Sequence, residues 1–443
     1  MHHLIGPWGL ILPGRSSMKQ SLIELIGELG QLTPIVAAQA RRPFVVEITG
    51  TPKAGKTSTI RRLEGVLAAA GWDVQVVPEA AETCPIRMKG HLLFNTWTTC
   101  TALRELVAAV DSRRQLVILD RGLFDARIWL ELQRRRGQVT DEEARVFSSF
   151  VMLDRWNAFE DLVLVLRATP STAMDRERLA SPGSTRKGSL MNEQALGELN
   201  EAVESLLVGD GAPTVIDTDA IDQETLVELL AREILAAVRS TIDPEVAVVS
   251  RSEVERLFGD RDQLAWSPDG EWQTILQRVT YETRSVAEAS DDLVQLISAC
   301  VPTSTGGLFR FDRSEAARAA KYGRYAIWKG THVARSDGKL DLERIVLDRV
   351  RGDLHLNALD SRLHPLGLVW TPNGERNHLC AAFELRLVVP DVVQYLHDRS
   401  FKTGTRLDVT KLSLHTSESL LAEPELEPWS RVILEAKWLT DHQ

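Results

Sequence analysis

Eight consecutive residues carry the densest chemistry in this chain: Gly50-Thr51-Pro52-Lys53-Ala54-Gly55-Lys56-Thr57. They match G-x-x-x-x-G-K-[ST], a loop whose glycines let main-chain N–H groups curl around phosphate oxygens. The start of the following helix, at Ser58, adds positive potential. In such a loop Lys56 reaches the β- and γ-phosphates of a nucleotide and the Thr57 hydroxyl ligates Mg²⁺. The cofactors this predicts are ATP or GTP together with Mg²⁺. The competing reading is a glycine-rich turn with no ligand.

A phosphate loop alone gives binding, not a reaction, and three further features narrow the chemistry. Val77-Pro78-Glu79 follows an apolar run. Ligands gather at such strand ends in open α/β sheets, and a carboxylate there can take the proton of an attacking hydroxyl. A surface Glu in a loop is the bland alternative. Leu119-Asp120-Arg121-Gly122-Leu123-Phe124-Asp125-Ala126-Arg127 is the second feature. Asp120 ends an apolar run and is placed to position Mg²⁺ through water, with Arg121 and Arg127 near the phosphates or the acceptor. The third is Met174 to Gly188, where Arg176, Arg178, Arg186 and Lys187 surround Ser181-Pro182-Gly183-Ser184. A basic loop there can close over phosphates. An ordinary charged surface loop competes with that reading.

The elements that must position these residues alternate along the first half. Strands are expected at 44–49, 73–77, 116–119, 161–166 and 214–217, each a nearly continuous apolar run of the kind covered on both faces. Helical segments lie between them, including 58–70 directly after the loop and a closing helix over 226–238. The sheet is therefore expected to be parallel with right-handed crossovers. Thr241-Ile242-Asp243-Pro244 reads as a hinge. The second half has an α+β texture, with strands expected over 307–311, 325–328, 366–370 and 379–389 and a helix over 341–354.

At 443 residues, 44% apolar and 26% charged, the chain has the composition of a soluble globular protein with two domains as the default. There is no apolar run of membrane-spanning length, and the N-terminal stretch lacks the basic start of a signal peptide. Fifty-two basic against 62 acidic residues leave a net charge of −10, which argues against a broad nucleic-acid surface. Cys84, Cys100, Cys300 and Cys380 are scattered with no C-x-x-C pair, which suits a reduced, cytoplasmic protein.

Over residues 42 to 240 these features together resemble the deoxynucleoside kinase and thymidylate kinase group of P-loop (Walker A) kinases. Val77-Pro78-Glu79-Ala80 resembles the Glu-Pro element carrying their general base. Asp120-Arg121-Gly122 resembles their Glu-Arg-Ser or Asp-Arg element, with Gly122 replacing the usual Ser or aromatic residue. Arg127 matches a further Arg in the same helix, Arg176 and Arg178 match lid arginines, and Asn95 in Phe94-Asn95-Thr96-Trp97 stands in for a base-reading Gln. The resemblance implies an α/β kinase domain around a five-stranded parallel sheet. It implies a small nucleoside or nucleotide as substrate, bound by Glu79, Asn95, Arg121 and Arg127. Lys56, Glu79, Arg121, Arg176 and Arg178 would be catalytic. It also implies a homodimer paired through helices, an arrangement the residues themselves leave open.

Residues 245–440 resemble a Nudix-like family in the order of Lys329-Gly330-Thr331-His332, a later helix and Glu427-Pro428-Trp429-Ser430. That family's helix carries Arg-Glu-x-x-Glu-Glu, whose carboxylates bind catalytic metal. Here the helix reads Asp348-Arg349-Val350-Arg351-Gly352-Asp353, keeping one carboxylate at a metal position, Asp353. A non-hydrolysing scaffold or sensor is expected. The predicted layout is an N-terminal extension and helix over 1–40, a P-loop kinase domain over 41–242 and an α+β Nudix-like domain over 243–443. The leading function is phosphoryl transfer to a small hydroxyl acceptor. The alternatives are a non-enzymatic nucleotide switch and a kinase of a hydroxylated base in DNA.

Overall fold

A computed structural model describes residues 20–40, 42–86, 91–180, 191–207, 213–258, 265–267, 272–304, 307–312, 323–335, 340–354, 362–371, 377–387 and 412–435. The chain divides into two compact units, 1–242 and 243–443. No helix among the described residues is long and apolar enough to cross a membrane.

The first unit runs α1 (Gln20–Gln39), β1 (Phe44–Gly50), α2 (Lys56–Ala69), β2 (Val74–Val77), α3 (Leu92–Val110), β3 (Leu116–Asp120), α4 (Leu123–Arg135), α5 (Asp141–Val151), α6 (Asp154–Asn157), β4 (Leu162–Arg167), α7 (Pro170–Ala180), α8 (Glu193–Ser205), β5 (Thr214–Asp217) and α9 (Gln223–Ile242). Five strands pair in the order β2-β3-β1-β4-β5, every ladder parallel. The five expected strands are all present, displaced by a residue or two at most.

Alternation along β1 explains how the sheet is covered. Phe44, Val46 and Ile48 join a core with Leu25 and Leu29 of α1, Leu63 and Leu67 of α2, and Leu230 and Ile234 of α9. Val45 faces the other way, with Leu106 of α3, Leu123 of α4 and Val151 of α5. Val165 of β4 joins Phe124 and Ile128 of α4 and Val203 of α8. Burial on both faces is what a parallel sheet with helical crossovers requires. It also means that Glu47 and Thr49, in phase with Val45, point toward the α4 side. Both are fully buried.

The second unit is built on a mixed sheet. Its strands are β6 (Glu245–Ser250), β7 (Ala265–Ser267), β8 (Thr280–Thr283), β9 (Leu293–Ser304), β10 (Gly307–Asp312), β11 (Tyr325–Ala326), β12 (Lys329–His332), β13 (Arg362–Thr371), β14 (His378–Arg386) and β15 (Leu412–His415). The main path is β11-β10-β9-β14-β13-β7, with β6 and β12 also on β9, β15 on β10 and β8 on β6. β9 pairs in parallel with β14 over nine residues. The expected helix is present at Leu342–Leu354. The expected strand over 325–328 is corrected: it stops at Ala326 and a separate strand begins at Lys329. The Ile327 amide donates to Ser430 Oγ at 3.1 Å and Trp328 Nε1 to Glu427 at 2.8 Å, which takes the chain out of the ladder between the two.

Candidate functional site

The loop expected to bind phosphate leaves β1 at Gly50, with φ of 127°. A Cβ there would lie 1.9 Å from the Leu166 carbonyl oxygen, so β4 admits only glycine at this point. Lys53 (φ 59°) and Gly55 (φ 94°) are also left-handed, which curls the main chain back on itself before α2 begins. Thr51 is tied down at both ends. Its amide donates to Leu166 O at 3.0 Å, and its hydroxyl accepts the Ala168 amide at 3.0 Å. Pro52 and Ala54 complete the turn. Ser58 Oγ donates to Gly55 O at 2.9 Å.

Lys56 lies inside this loop, 7% exposed. Its Nζ donates to Gly50 O at 2.9 Å and Thr51 O at 2.6 Å. Burial first, then the Arg121 charge, lowers its pKa to about 7. An incoming anion would oppose both influences by favouring the charged form. Thr57 Oγ1 donates to Asp120 Oδ2 at 3.1 Å, while the buried Asp120 Oδ1 has no hydrogen-bond partner. Burial raises the Asp120 pKa, opposed by Arg121 and Lys56. A hydroxyl beside a carboxylate with one oxygen unsatisfied suits a hard cation that keeps most of its water. Among the described residues no group of three or more His, Cys, Asp or Glu could hold a metal ion, so any cation here would lean on ligand oxygens.

Arg121, the residue after Asp120, has a left-handed backbone with φ of 72°, and its amide donates to Ile48 O at 3.1 Å. Its guanidinium lies between two carboxylates. Nε is 3.0 Å from Glu79 Oε1 and Nη1 is 2.5 Å from Asp125 Oδ1. Burial opposes its charge, but Asp125, Glu79 and Asp120 outweigh that and hold it firmly protonated. No role was expected for Asp125; the structure joins it to Arg121 and to Thr49, whose hydroxyl donates to the same Oδ1 at 2.5 Å. Lys56 feels the charges of Arg121, Asp125, Asp120 and Glu79, so the loop and position 79 share one electrostatic neighbourhood.

Behind them lies a second carboxylate group that sequence reasoning missed. Glu47 Oε2 accepts the Phe124 amide and Oε1 the Asp125 amide, both at 2.9 Å. Glu160 Oε1 accepts the Leu123 amide at 3.4 Å. The two glutamates therefore cap the first turn of α4, whose N-cap residue, Gly122, has no side chain to do so. Burial raises Glu47 to about 7. Burial and the Glu47 charge also push Glu160 well up. The signal for Glu47 was present: a lone carboxylate inside an apolar strand needs partners.

The remaining expected site residues lie at different distances from this centre. Asn95 is 3% exposed and spends its Nδ2 on the Ala126 carbonyl at 3.2 Å, which fastens α3 to α4. Arg127 stacks its guanidinium 5.2 Å from the Phe124 ring. Burial lowers its pKa, with Glu47 and Glu160 opposing. Arg176 backs the loop: Nη1 donates to Lys53 O at 3.1 Å and Thr218 Oγ1 at 3.0 Å, and Nη2 to Thr218 O at 2.6 Å. Next to it Glu177 pairs with Lys53 at 2.6 Å. Arg178 is not brought in. Its side chain is 70% exposed and pairs with Asp175 at 2.9 Å. Ser181, Pro182, Gly183, Ser184, Arg186 and Lys187 lie outside the described residues.

In the second unit, Glu427 is a hub. It accepts Trp328 Nε1 and both the amide and the hydroxyl of Ser430 at 2.8 Å. His332 and His378 lie ring to ring at 5.4 Å. Asp348 is exposed and 3.7 Å from Arg344, while the Asp353 side chain lies outside the described residues.

No family model and no curated protein matches the chain. Among solved structures it is similar to deoxyadenosine kinase from M. mycoides. One such structure, with products dCMP and dCDP bound, is 20% identical with a TM-score of 0.34 and covers 44% of this chain and all of the other. A second, with bound dATP, is 20% identical with a TM-score of 0.34 and covers 43% and 99%. It is also similar to a crystal structure described as a candidate Nudix hydrolase, 21% identical with a TM-score of 0.33, covering 44% and 98%.

Proposed function

We propose that residues 41–242 form an ATP- and Mg²⁺-dependent phosphotransferase acting on the hydroxyl of a nucleoside, nucleotide or related small molecule. One observation carries this reading: Arg121 pairs with Glu79 at 3.0 Å, directly beyond the Thr57–Asp120 contact at 3.1 Å. A carboxylate suited to an acceptor proton is thereby linked to the pair of oxygens suited to a nucleotide-bound cation. A bare nucleotide-binding loop has no use for that link.

The roles follow from phosphoryl-transfer physics, in which positioning and cationic stabilisation supply most of the acceleration. The loop amides grip the phosphates and Lys56 turns from Gly50 O and Thr51 O to their oxygens. Thr57 and Asp120 would hold Mg²⁺, which when bound neutralises charge across the β- and γ-phosphates. Glu79 orients the acceptor hydroxyl and takes its proton. Arg121 holds Glu79 in place, and Arg176 braces the loop from behind. The second unit is proposed as a scaffold that does not hydrolyse diphosphates.

The decisive experiment is a screen of nucleosides and nucleoside monophosphates with γ-labelled ATP and GTP. Labelling of one acceptor class is expected. Slow nucleotide hydrolysis with every acceptor unlabelled would replace this reading with that of a nucleotide switch. In the same protein carrying Lys56→Ala, no Mg²⁺-dependent cleavage of nucleoside diphosphate derivatives is expected from the second unit.

A further inference from the structure

We propose that Asp125 is a positioning residue of the acceptor end, which fixes the Arg121 guanidinium against Glu79. The consequence for turnover rests on the phosphotransferase reading; the geometry does not. Asp125 is fixed at three points. Its amide donates to Glu47 Oε1 at 2.9 Å, and its Oδ1 accepts the Thr49 hydroxyl and Arg121 Nη1, each at 2.5 Å. Thr49 and Glu47 belong to β1, the central strand. The position of Asp125 is thus set by the strand at the middle of the sheet.

Arg121 needs that support. A long side chain with φ of 72° persists only where its surroundings over-determine it. The backbone is held through Ile48 O and the guanidinium by Asp125 on one side and Glu79 on the other. Remove Asp125 and the guanidinium keeps one anchor, the exposed end of which is free to swing with Glu79.

The same network accounts for Gly122. A Cβ at this position would lie 2.5 Å from Glu47 Oε2 and 3.0 Å from Glu160 Oε1. Glu47 is buried and Glu160 half-buried, and both are bonded to the first amides of α4, so a retreat would stretch or break those bonds. Glycine at 122 is the condition for Glu47 to reach those amides, and so for Asp125 to stand where it does.

The test compares wild type with Asp125→Asn, Thr49→Val and Thr49→Ser in the full chain. Asp125→Asn keeps the shape and removes the charge facing Arg121. A misplacement of about 1 Å can cost roughly a hundredfold in rate, so kcat is expected to fall about 10- to 100-fold while KM for ATP stays within about twofold. Thr49→Val should shift kcat in the same direction and Thr49→Ser should restore it. A readout independent of turnover is the guanidinium Nη–H NMR signal of Arg121, the group bonded to Asp125, assigned with Arg121→Lys. Slow solvent exchange is expected in wild type and at least tenfold faster exchange in Asp125→Asn and Thr49→Val. Unchanged exchange in either soluble variant overturns the proposal, whatever the turnover. If wild type labels no acceptor yet the exchange pattern holds, the phosphotransferase reading fails and the positioning role stands.

Discussion

The two ends of the first unit's site are built from different materials. The proposed phosphate end is main chain: curled amides between Gly50 and Gly55, shaped by three left-handed residues and one close approach to β4. The proposed acceptor end is side chain: Glu79, Arg121, Asp125, Thr49, Glu47 and Glu160, drawn from five strands, helices or their connections. A main-chain site needs its residues consecutive, so its chemistry is written as a word. A side-chain site gathers single residues from anywhere, and only folding reveals it. The two ends should therefore fail differently when altered.

The largest contrast is expected from Lys56→Ala. Loss of one preorganised charge at a phosphoryl-transfer centre costs about 3–4 kcal/mol, or 10²- to 10³-fold in rate. Melting should scarcely move, because Lys56 bonds only to loop carbonyls. Steady-state transfer with labelled ATP checks the first statement and calorimetry the second. Preserved turnover would dissolve the contrast.

Glu47→Gln tests the other end through pH. Burial raises Glu47 from 4.5 to about 7, so between those values the folded protein holds a proton that the unfolded chain has released. The Glu47 contribution to stability is then complete below about 4.5 and fades as pH rises to about 7. At about 1.4 kcal/mol per pH unit, the loss is roughly 3 kcal/mol. Urea unfolding of the first unit at several pH values should show that slope in wild type and a flatter profile with Glu47→Gln.

Gly122→Ala sharpens the comparison further. Here the clash is with carboxylates rather than backbone, yet those carboxylates are pinned. A loss of about 1–3 kcal/mol is expected, with turnover falling more than nucleotide affinity. A variant that binds acceptor poorly and melts like wild type would show that Glu47 can move. The smallest effect is reserved for Arg178→Ala. Its pair with Asp175 is exposed and such pairs contribute about 0–1 kcal/mol, so rate and melting should both stay near wild type, whereas Arg176→Ala should weaken nucleotide binding.

Legibility in the sequence followed the same division. Runs such as Val45-Val46 and Leu116 to Leu119 announced covered parallel strands, and the loop announced itself. Asp125 was visible four residues after Arg121, but nothing local said that Thr49 and Glu47 would meet it there. In the second unit the 12-residue β9 (Leu293–Ser304) was missed, although it is the strand to which β6, β10, β12 and β14 all attach. Its Gln295, Ser298 and Pro302 interrupt the apolar pattern, and periodicity cannot anticipate that Gln295 and Ser298 are buried. Ser298, for one, spends its hydroxyl on Leu342 O at 2.8 Å.

Residues 47, 49 and 50 follow one another along β1. The gap between the proposed donor grip and acceptor apparatus is thus a covalent ruler, graduated at about 3.3 Å per residue, and no rotamer can lengthen it.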